Sequence, residues 1–410
     1  MPLKILISGG GIAGPALAFW LSKLGHHITI FERFPSLRAS GQQIDLRGHG
    51  IEVMKRMGLE EIFRSKAVAE KGLQFVDAHG KQRAFFAVNA KEGLQSFTTD
   101  YEIMRGDLCR ILYDATKDNV QYIFGVSVES LAQDAQRVNV HFSNGKQDTF
   151  DLVVGADGQS SRTRRMIVDA DKPDPFRFLG LYTAHMTIPR EDDEYVSSIF
   201  HAPGKRSVFT RRHAEDTIQG YLSYCGVSDE LQNARDIQAQ KKAWAKLFDG
   251  AGWQSNRIIN AMQTDSAGDF YSAKVGQVKL DRWSRGRIVL TGDAAFCPSP
   301  MTGMGTTSAL VGAYVMAGEI GRFCKNDNSE EAVMAALDSY DCRFRPFIDQ
   351  VQRLAPGMPG LAFPETAWGI AILHFLMWLA VFLRVDILTS WLLGEDVKWE
   401  MPEYAELMQS

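Results

Sequence analysis

The chain has 410 residues, 45% of them hydrophobic, 10% aromatic and 23% charged. Those fractions exclude a disordered chain, a collagen-like repeat and a multi-spanning membrane protein, and the length predicts two structural domains or one large domain with insertions. Lys and Arg number 45 against 49 Asp and Glu, a formal charge of −4, so the basic excess of a nucleic-acid binder is missing.

Residues 4–7 (KILI) form an apolar run suited to a buried parallel strand, which passes directly into Gly9-Gly10-Gly11-Ile12-Ala13-Gly14. A helical pattern follows, with Leu17, Leu21 and Leu24 on one face and Gly25 as its stop. A second strand, residues 27–31, ends at Glu32-Arg33. Gly9, Gly11 and Gly14 meet the GxGxxG pattern, in which the first glycine makes the tight turn. The second lets backbone approach a pyrophosphate, and the third lets helix and strand pack closely. The free amides at the helix start then face the phosphates. Glu32, 18 positions after Gly14, is placed to accept from ribose hydroxyls, with Arg33 beside it. This strand–glycine–helix context predicts a dinucleotide site.

Farther on, residues 51–66 read as helix, 73–76 and 85–88 as a hairpin, and 105–117 as helix. Short strands follow at 120–124, 126–133 and 138–143, with Asn144-Gly145 as a hairpin turn, and residues 151–156 form another buried strand. Between about 173 and 280 the pattern alternates and is rich in aromatics, which predicts an antiparallel sheet interrupted by a helix near 234–248. Residues 287–291 return to a buried strand, and 306–323 to a long helix. Residues 367–383 are 17 in number and carry no charge, and a second apolar patch covers 387–393. The first reading is a helix packed on the protein itself; residues 367–393 are also a candidate for weak membrane contact. Cys109, Cys225, Cys297, Cys324 and Cys342 are scattered singly, which with no visible signal peptide predicts a reducing, cytoplasmic setting.

Two later segments join the glycine motif. Residues 151–164 (DLVVGADGQSSRTR) carry Asp157, Gly158, Ser161 and Arg164. Residues 287–295 (RIVLTGDAA) carry Asp293 and continue into Pro298, Pro300, Gly303, Met304 and Gly305. On these three motifs the chain resembles the aromatic-hydroxylase class of FAD-dependent monooxygenases, the para-hydroxybenzoate hydroxylase-like group. It is similar to tetracycline-inactivating and fungal secondary-metabolite monooxygenases.

The resemblance implies an α/β fold: a Rossmann-like FAD-binding domain (1–72, 100–172 and 281–355), an inserted antiparallel-sheet substrate domain (73–99 and 173–280), and a C-terminal apolar helical segment (356–410). It implies FAD as cofactor, NADPH or NADH as co-substrate, and O2. One oxygen atom would enter a bulky apolar or aromatic small molecule by hydroxylation, epoxidation or a Baeyer–Villiger-type insertion, through a flavin hydroperoxide. The alternative on the same fold is a flavin oxidase or dehydrogenase. A monomer or weak dimer is expected.

By the same resemblance Arg105 opens a helix and contacts FAD, Gln43 and Asp45 lie where the chain runs along the ribityl part, and Arg47 serves the ring or the substrate or else forms a salt bridge. Asp157 belongs near both nucleotides, Asp293 bonds a ribityl hydroxyl, and the amides of Gly303, Met304 and Gly305 face the electron-rich edge of the ring. The chain departs from the family pattern at Phe296, where histidine is common, and at Val311-Gly312, where an acidic pair is common. The substrate wall is expected to draw on some of Phe178, Tyr182, Phe200, Phe209, Tyr221 and Tyr224, with alternation sending others to the core, and Arg206 is either a polar anchor or an exposed hairpin arginine. His185, His201 and His213 lack metal-ligand spacing and read as structural or surface residues.

Overall fold

The strand Lys4–Ser8 lies between two parallel neighbours, His27–Glu32 and Leu152–Gly155, and covered on both sides it has no polar alternation. It is central to a six-stranded sheet ordered Ser284–Arg285, Ile288–Leu290, Leu152–Gly155, Lys4–Ser8, His27–Glu32, Gln121–Phe124, parallel except at the Ser284–Arg285 edge. The computed structural model describes residues 2–408 apart from 39–40, 69–70, 88–100, 170, 192–193, 195, 213, 265–266, 268, 326 and 384–398. The expected strand residue Val88, His213 and the patch 387–393 therefore lie outside the described residues.

Helix Ala13–Lys23 packs against the long helix Gly305–Phe323, which is buried from Thr307 to Gly321 and forms the axis of the nucleotide half. A further helix, Glu330–Val351, capped by the Ser329 hydroxyl accepting from Ala332 N, packs on it and was not read from the sequence. Residues past 398 return to this core. The Tyr404 ring fills the notch at Gly318, where a Cβ would stand 2.2 Å from it, and its hydroxyl donates to the buried Glu319 at 2.6 Å.

The second sheet has seven strands, ordered Tyr271–Val278, Phe176–Pro189, Thr217–Cys225, Arg206–Arg212, Ser197–Ala202, Gly72–Val76, Gln82–Ala87. It is antiparallel except where Ser197–Ala202 meets Gly72–Val76, because that hairpin arrives from the nucleotide half rather than by a tight turn. Side-chain alternation gives its faces separate duties. Tyr182, Ala184, Met186, Ile188, Phe200, Val208 and Leu222 pack under helices Ile237–Phe248 and Ser255–Gln263, with Trp244, Phe248, Ile258 and Met262. The opposite face meets the nucleotide half: Met301 packs on Leu181, Cys225 and Val275, while Gln219 and Arg211 bond residues 41, 43 and 102.

Helix Ala367–Phe382 also lies on that face, at its far end. Its Met377 and Val381 pack against the cluster of Leu73, Phe75, Ala84, Ile199 and Phe209, and His374 Nε2 stands 3.3 Å from His201 Nδ1. Trp368, Ile372, Phe375, Phe382 and Leu383 are exposed, Trp368 to 81%. Among the described residues no helix is long and apolar enough to cross a membrane.

Candidate active site

The turn after the first strand is fixed by close approach. Gly9 has φ +122°, and a Cβ there would stand 2.4 Å from the Ala156 carbonyl oxygen; a Cβ on Gly14 would stand 2.1 Å from that of Gly9. Any larger residue forces the loop away from the helix start. The Gly9 contact also presses the glycine loop onto the 151–164 segment. The 287–305 segment closes from the other side, since a Cβ on Gly292 would meet that of Ala13 at 2.8 Å. Arg164, almost wholly buried, ties the two later segments together by donating to Ala294 O at 3.0 Å and Gln159 O at 2.6 Å. The three motifs converge.

Arg105 stands at the glycine loop, within electrostatic reach of Asp293. Its Nη2 lies 3.3 Å from where a Gly11 Cβ would be, its stem packs on Gly41, and its charge offsets part of the upward push that burial gives the Asp293 carboxyl. Opposite, the Arg47 guanidinium lies over Gly303 and pairs with Asp45 at 3.2 Å. The Arg47 backbone is stitched to the start of the long helix, its N–H donating to Thr307 Oγ1 at 3.0 Å and its carbonyl accepting from that hydroxyl at 3.1 Å. Asp45 Oδ1, Arg47 Nε and Nη1, and Arg105 Nη1 are buried without a partner among the described residues. Unpaired buried groups of this kind cost stability unless a ligand answers them. A nucleotide brings the acceptors and donors required, so the residues present fit FAD.

Glu32 is oriented by its own loop: Oε2 accepts from Gly10 N at 2.8 Å and Oε1 from Phe34 N at 3.0 Å. Arg33 packs on the Phe34 ring, as does Arg38, which also lies over Tyr271 and was not singled out from the sequence. Burial and the nearby Arg105 lower the Arg38 pKa. Asp157 is committed to the helix that follows it. Its Oδ2 accepts from Arg162 N at 2.8 Å and Thr163 N at 3.0 Å, and Oδ1 from the Ser161 hydroxyl, so the carboxylate caps Arg162–Ile167. Gln43 joins a buried inter-sheet network: its Nε2 and Arg211 Nη2 both donate to Glu102 Oε2, and its N–H donates to Gln219 Oε1 at 2.9 Å.

Several sequence expectations need correction. Tyr182, Phe200 and Tyr224 belong to the helix-covered core of the second sheet, because strand alternation turns them away from the nucleotide half; Phe209 and Tyr221 face it. Arg206 is no anchor: its guanidinium is held by the carbonyls of Pro203 at 2.9 Å and Leu247 at 3.0 Å. His185 is no surface residue but faces the nucleotide half, buried between Tyr271 and Tyr221. The departures at 296 and 312 are one packing exchange. The buried Phe296 ring stands 3.0 Å from where a Gly312 Cβ would be, so the aromatic takes the volume the glycine leaves open. Among the described residues no group of His, Cys, Asp or Glu is placed to hold a metal ion.

One dinucleotide loop closed by two distant segments, beneath a largely antiparallel sheet, defines a flavoprotein with a single nucleotide-binding fold. The chain belongs to the FAD binding domain family, which it matches over residues 3–355. It is 43% identical to the FAD-dependent monooxygenase asL4 of Sarocladium schorii, with 99% of each chain covered. It is 42% identical to the flavin-dependent monooxygenase eupH of Phoma sp, over 90% of this chain and 89% of the other. Among solved structures, tetracycline destructase Tet(55) superposes with a TM-score of 0.80 at 30% identity, covering 98% of this chain and 99% of that one. This is an FAD-dependent monooxygenase.

Proposed function

We propose that the protein takes electrons from NADPH or NADH and inserts one atom of O2 into a bulky apolar or aromatic small molecule. The observation that carries this reading is the convergence of three separated segments, Gly9 on Ala156, Gly292 on Ala13 and Arg164 on Ala294, beside buried Asp45, Arg47 and Arg105 atoms that lack partners among the described residues. When bound, FAD supplies the two-electron and oxygen chemistry; the chain binds it, orients the substrate and excludes water. In this reading Gly9, Gly11 and Gly14 admit the pyrophosphate, with Glu32 and Arg33 at the adenosine ribose. Arg105, Asp157 and Asp293 serve the middle of the cofactor, Gln43 and Asp45 its ribityl side, and Gly303, Met304 and Gly305 the ring edge.

The same reading assigns 1–72, 100–172 and 281–355 to FAD, 73–99 and 173–280 to the substrate, and 356–410 to a closing helical segment. The uncharged outer side of helix Ala367–Phe382, with Trp368 and Phe375 exposed, supports shallow contact with a lipid surface, on a cytoplasmic monomer or weak dimer. The test is to find a compound that accelerates consumption of reduced nicotinamide by the yellow holoenzyme, then supply 18O-labelled O2. One labelled atom in the product is expected. Oxidation of the compound without nicotinamide, with hydrogen peroxide formed in step and no label in the organic product, favours an oxidase instead.

A further inference from the structure

The face of the seven-stranded sheet that meets the nucleotide half carries a single cross-strand row, Tyr271–His185–Tyr221–Phe209, set by the pairing of four adjacent strands. Most polar side chains beside this row are already engaged. Arg211 is held by Glu102, and Gln219 accepts from Gln43 N and Tyr221 Oη while donating to Gly41 O at 3.1 Å. Asp269 accepts from Thr187 N at 2.8 Å and Thr187 Oγ1 at 2.7 Å. His185 differs. It is 5% exposed, its ring lies 5.3 Å from Tyr271 and 6.0 Å from Tyr221, and its Nδ1 has no partner among the described residues.

We propose that His185 is the specificity-determining residue of the substrate wall, its Nδ1 accepting a hydrogen bond from a phenolic or enolic hydroxyl of the substrate. This rests on the monooxygenase reading above. The imidazole is held neutral: burial lowers its pKa to about 4 against an opposing pull from Asp269, with Arg38 and Arg105 adding to the lowering. A neutral imidazole with its proton on Nε2 accepts at Nδ1 and attracts no carboxylate. Two cations of the surrounding wall are already paired, Arg211 with Glu102 and Arg47 with Asp45, while Arg105 lies against the glycine loop at Gly11 and Arg38 over the Phe34 and Tyr271 rings. The row therefore selects a flat, uncharged molecule bearing a hydroxyl. An analogue without that hydroxyl leaves the buried nitrogen unanswered, and such sites discriminate strongly.

The test uses the FAD-loaded protein and a matched pair of flat probes, 2-naphthol, un-ionised at neutral pH, and its methyl ether 2-methoxynaphthalene, with binding followed by equilibrium dialysis. The wild type is expected to hold the naphthol ~10-fold or more tighter than the ether. His185→Phe keeps the ring volume and removes the acceptor, and is expected to bring the two within ~2-fold at unchanged FAD content. His185→Asn, which restores an acceptor near the same position, should recover part of the preference. Equal binding of the pair by the wild type, binding of neither, or a preference that survives in His185→Phe overturns the assignment. FAD content separates the two levels: a colourless wild type sinks the monooxygenase reading as well, whereas a yellow wild type with no preference sinks the role of His185 alone.

Discussion

The nucleotide half and the seven-stranded sheet place their chemistry by different rules. In the nucleotide half, position is enforced by backbone contact: Gly9 against Ala156, Gly14 against Gly9, Gly292 against Ala13. The side chains there mostly complete what the backbone has set. In the sheet nothing is so tight, and function depends on which of two faces a residue occupies. Tyr221 and Leu222 are neighbours in sequence, yet one faces the nucleotide half and the other the helix-covered core. Steric rules leave glycines in the sequence; parity leaves only an alternation whose phase has to be learned from pairing.

The contrast can be tested, beginning where the two halves are bolted together. Glu102→Ala removes a fully buried carboxylate that accepts from both Gln43 and the partly buried Arg211 and is expected to cost ~1–3 kcal/mol, read as a fall in the urea midpoint. Pairing it with Arg211→Met should recover much of that loss. A next variant attacks the steric rule: Gly14→Ala drives a methyl to 2.1 Å from the Gly9 oxygen. Overpacking of this kind costs ~1–3 kcal/mol. The decisive readout is flavin absorbance per protein, expected to fall ~10-fold or more while far-ultraviolet dichroism holds.

Acid should loosen the sheet by a third route. His201 is buried against His374, and burial holds its pKa at about 3, below the ordinary 6.5. The unfolded chain therefore binds the extra proton first as pH falls. The contribution of His201 is intact above pH 6.5 and is lost between 6.5 and about 3, at no more than ~1.4 kcal/mol per pH unit. His26 and His185, each lowered to about 4, steepen the same limb. Urea midpoints at pH 7, 6, 5 and 4 should show the decline, and His201→Phe should flatten it; an unchanged slope in that variant would refute the account. The smallest effect belongs to the exposed helix. Trp368→Glu and Phe375→Glu should shift stability by less than ~0.5 kcal/mol, yet reduce co-sedimentation with anionic lipid vesicles if the helix contacts a bilayer.

How much of this was legible follows from the same contrast. The glycine loop, the strand ending at Glu32, the Asp157 and Asp293 segments and the long helix up to Phe323 could be read from sequence, because each leaves a residue type that few other conformations demand. The substrate wall was half legible. Alternation was visible, but its phase was not, so Tyr182 and Phe200 were expected beside Tyr221 although they face the other way. Glu102 and Arg211 are 109 positions apart, and nothing in the spacing of either announces a shared carboxylate oxygen. Arg38 was not singled out and His185 was read only as structural or surface, because the neighbours that surround them are brought in by the fold: Tyr271 beneath the guanidinium, and two tyrosines around the imidazole.

The ring that plugs the notch at Gly318 makes the last described turn a keystone. A version shortened before residue 399 would open a hole in the main helix and leave the Glu319 carboxylate without its phenolic donor. A synthetic peptide copying residues 399–408 should re-seat there and restore the melting temperature.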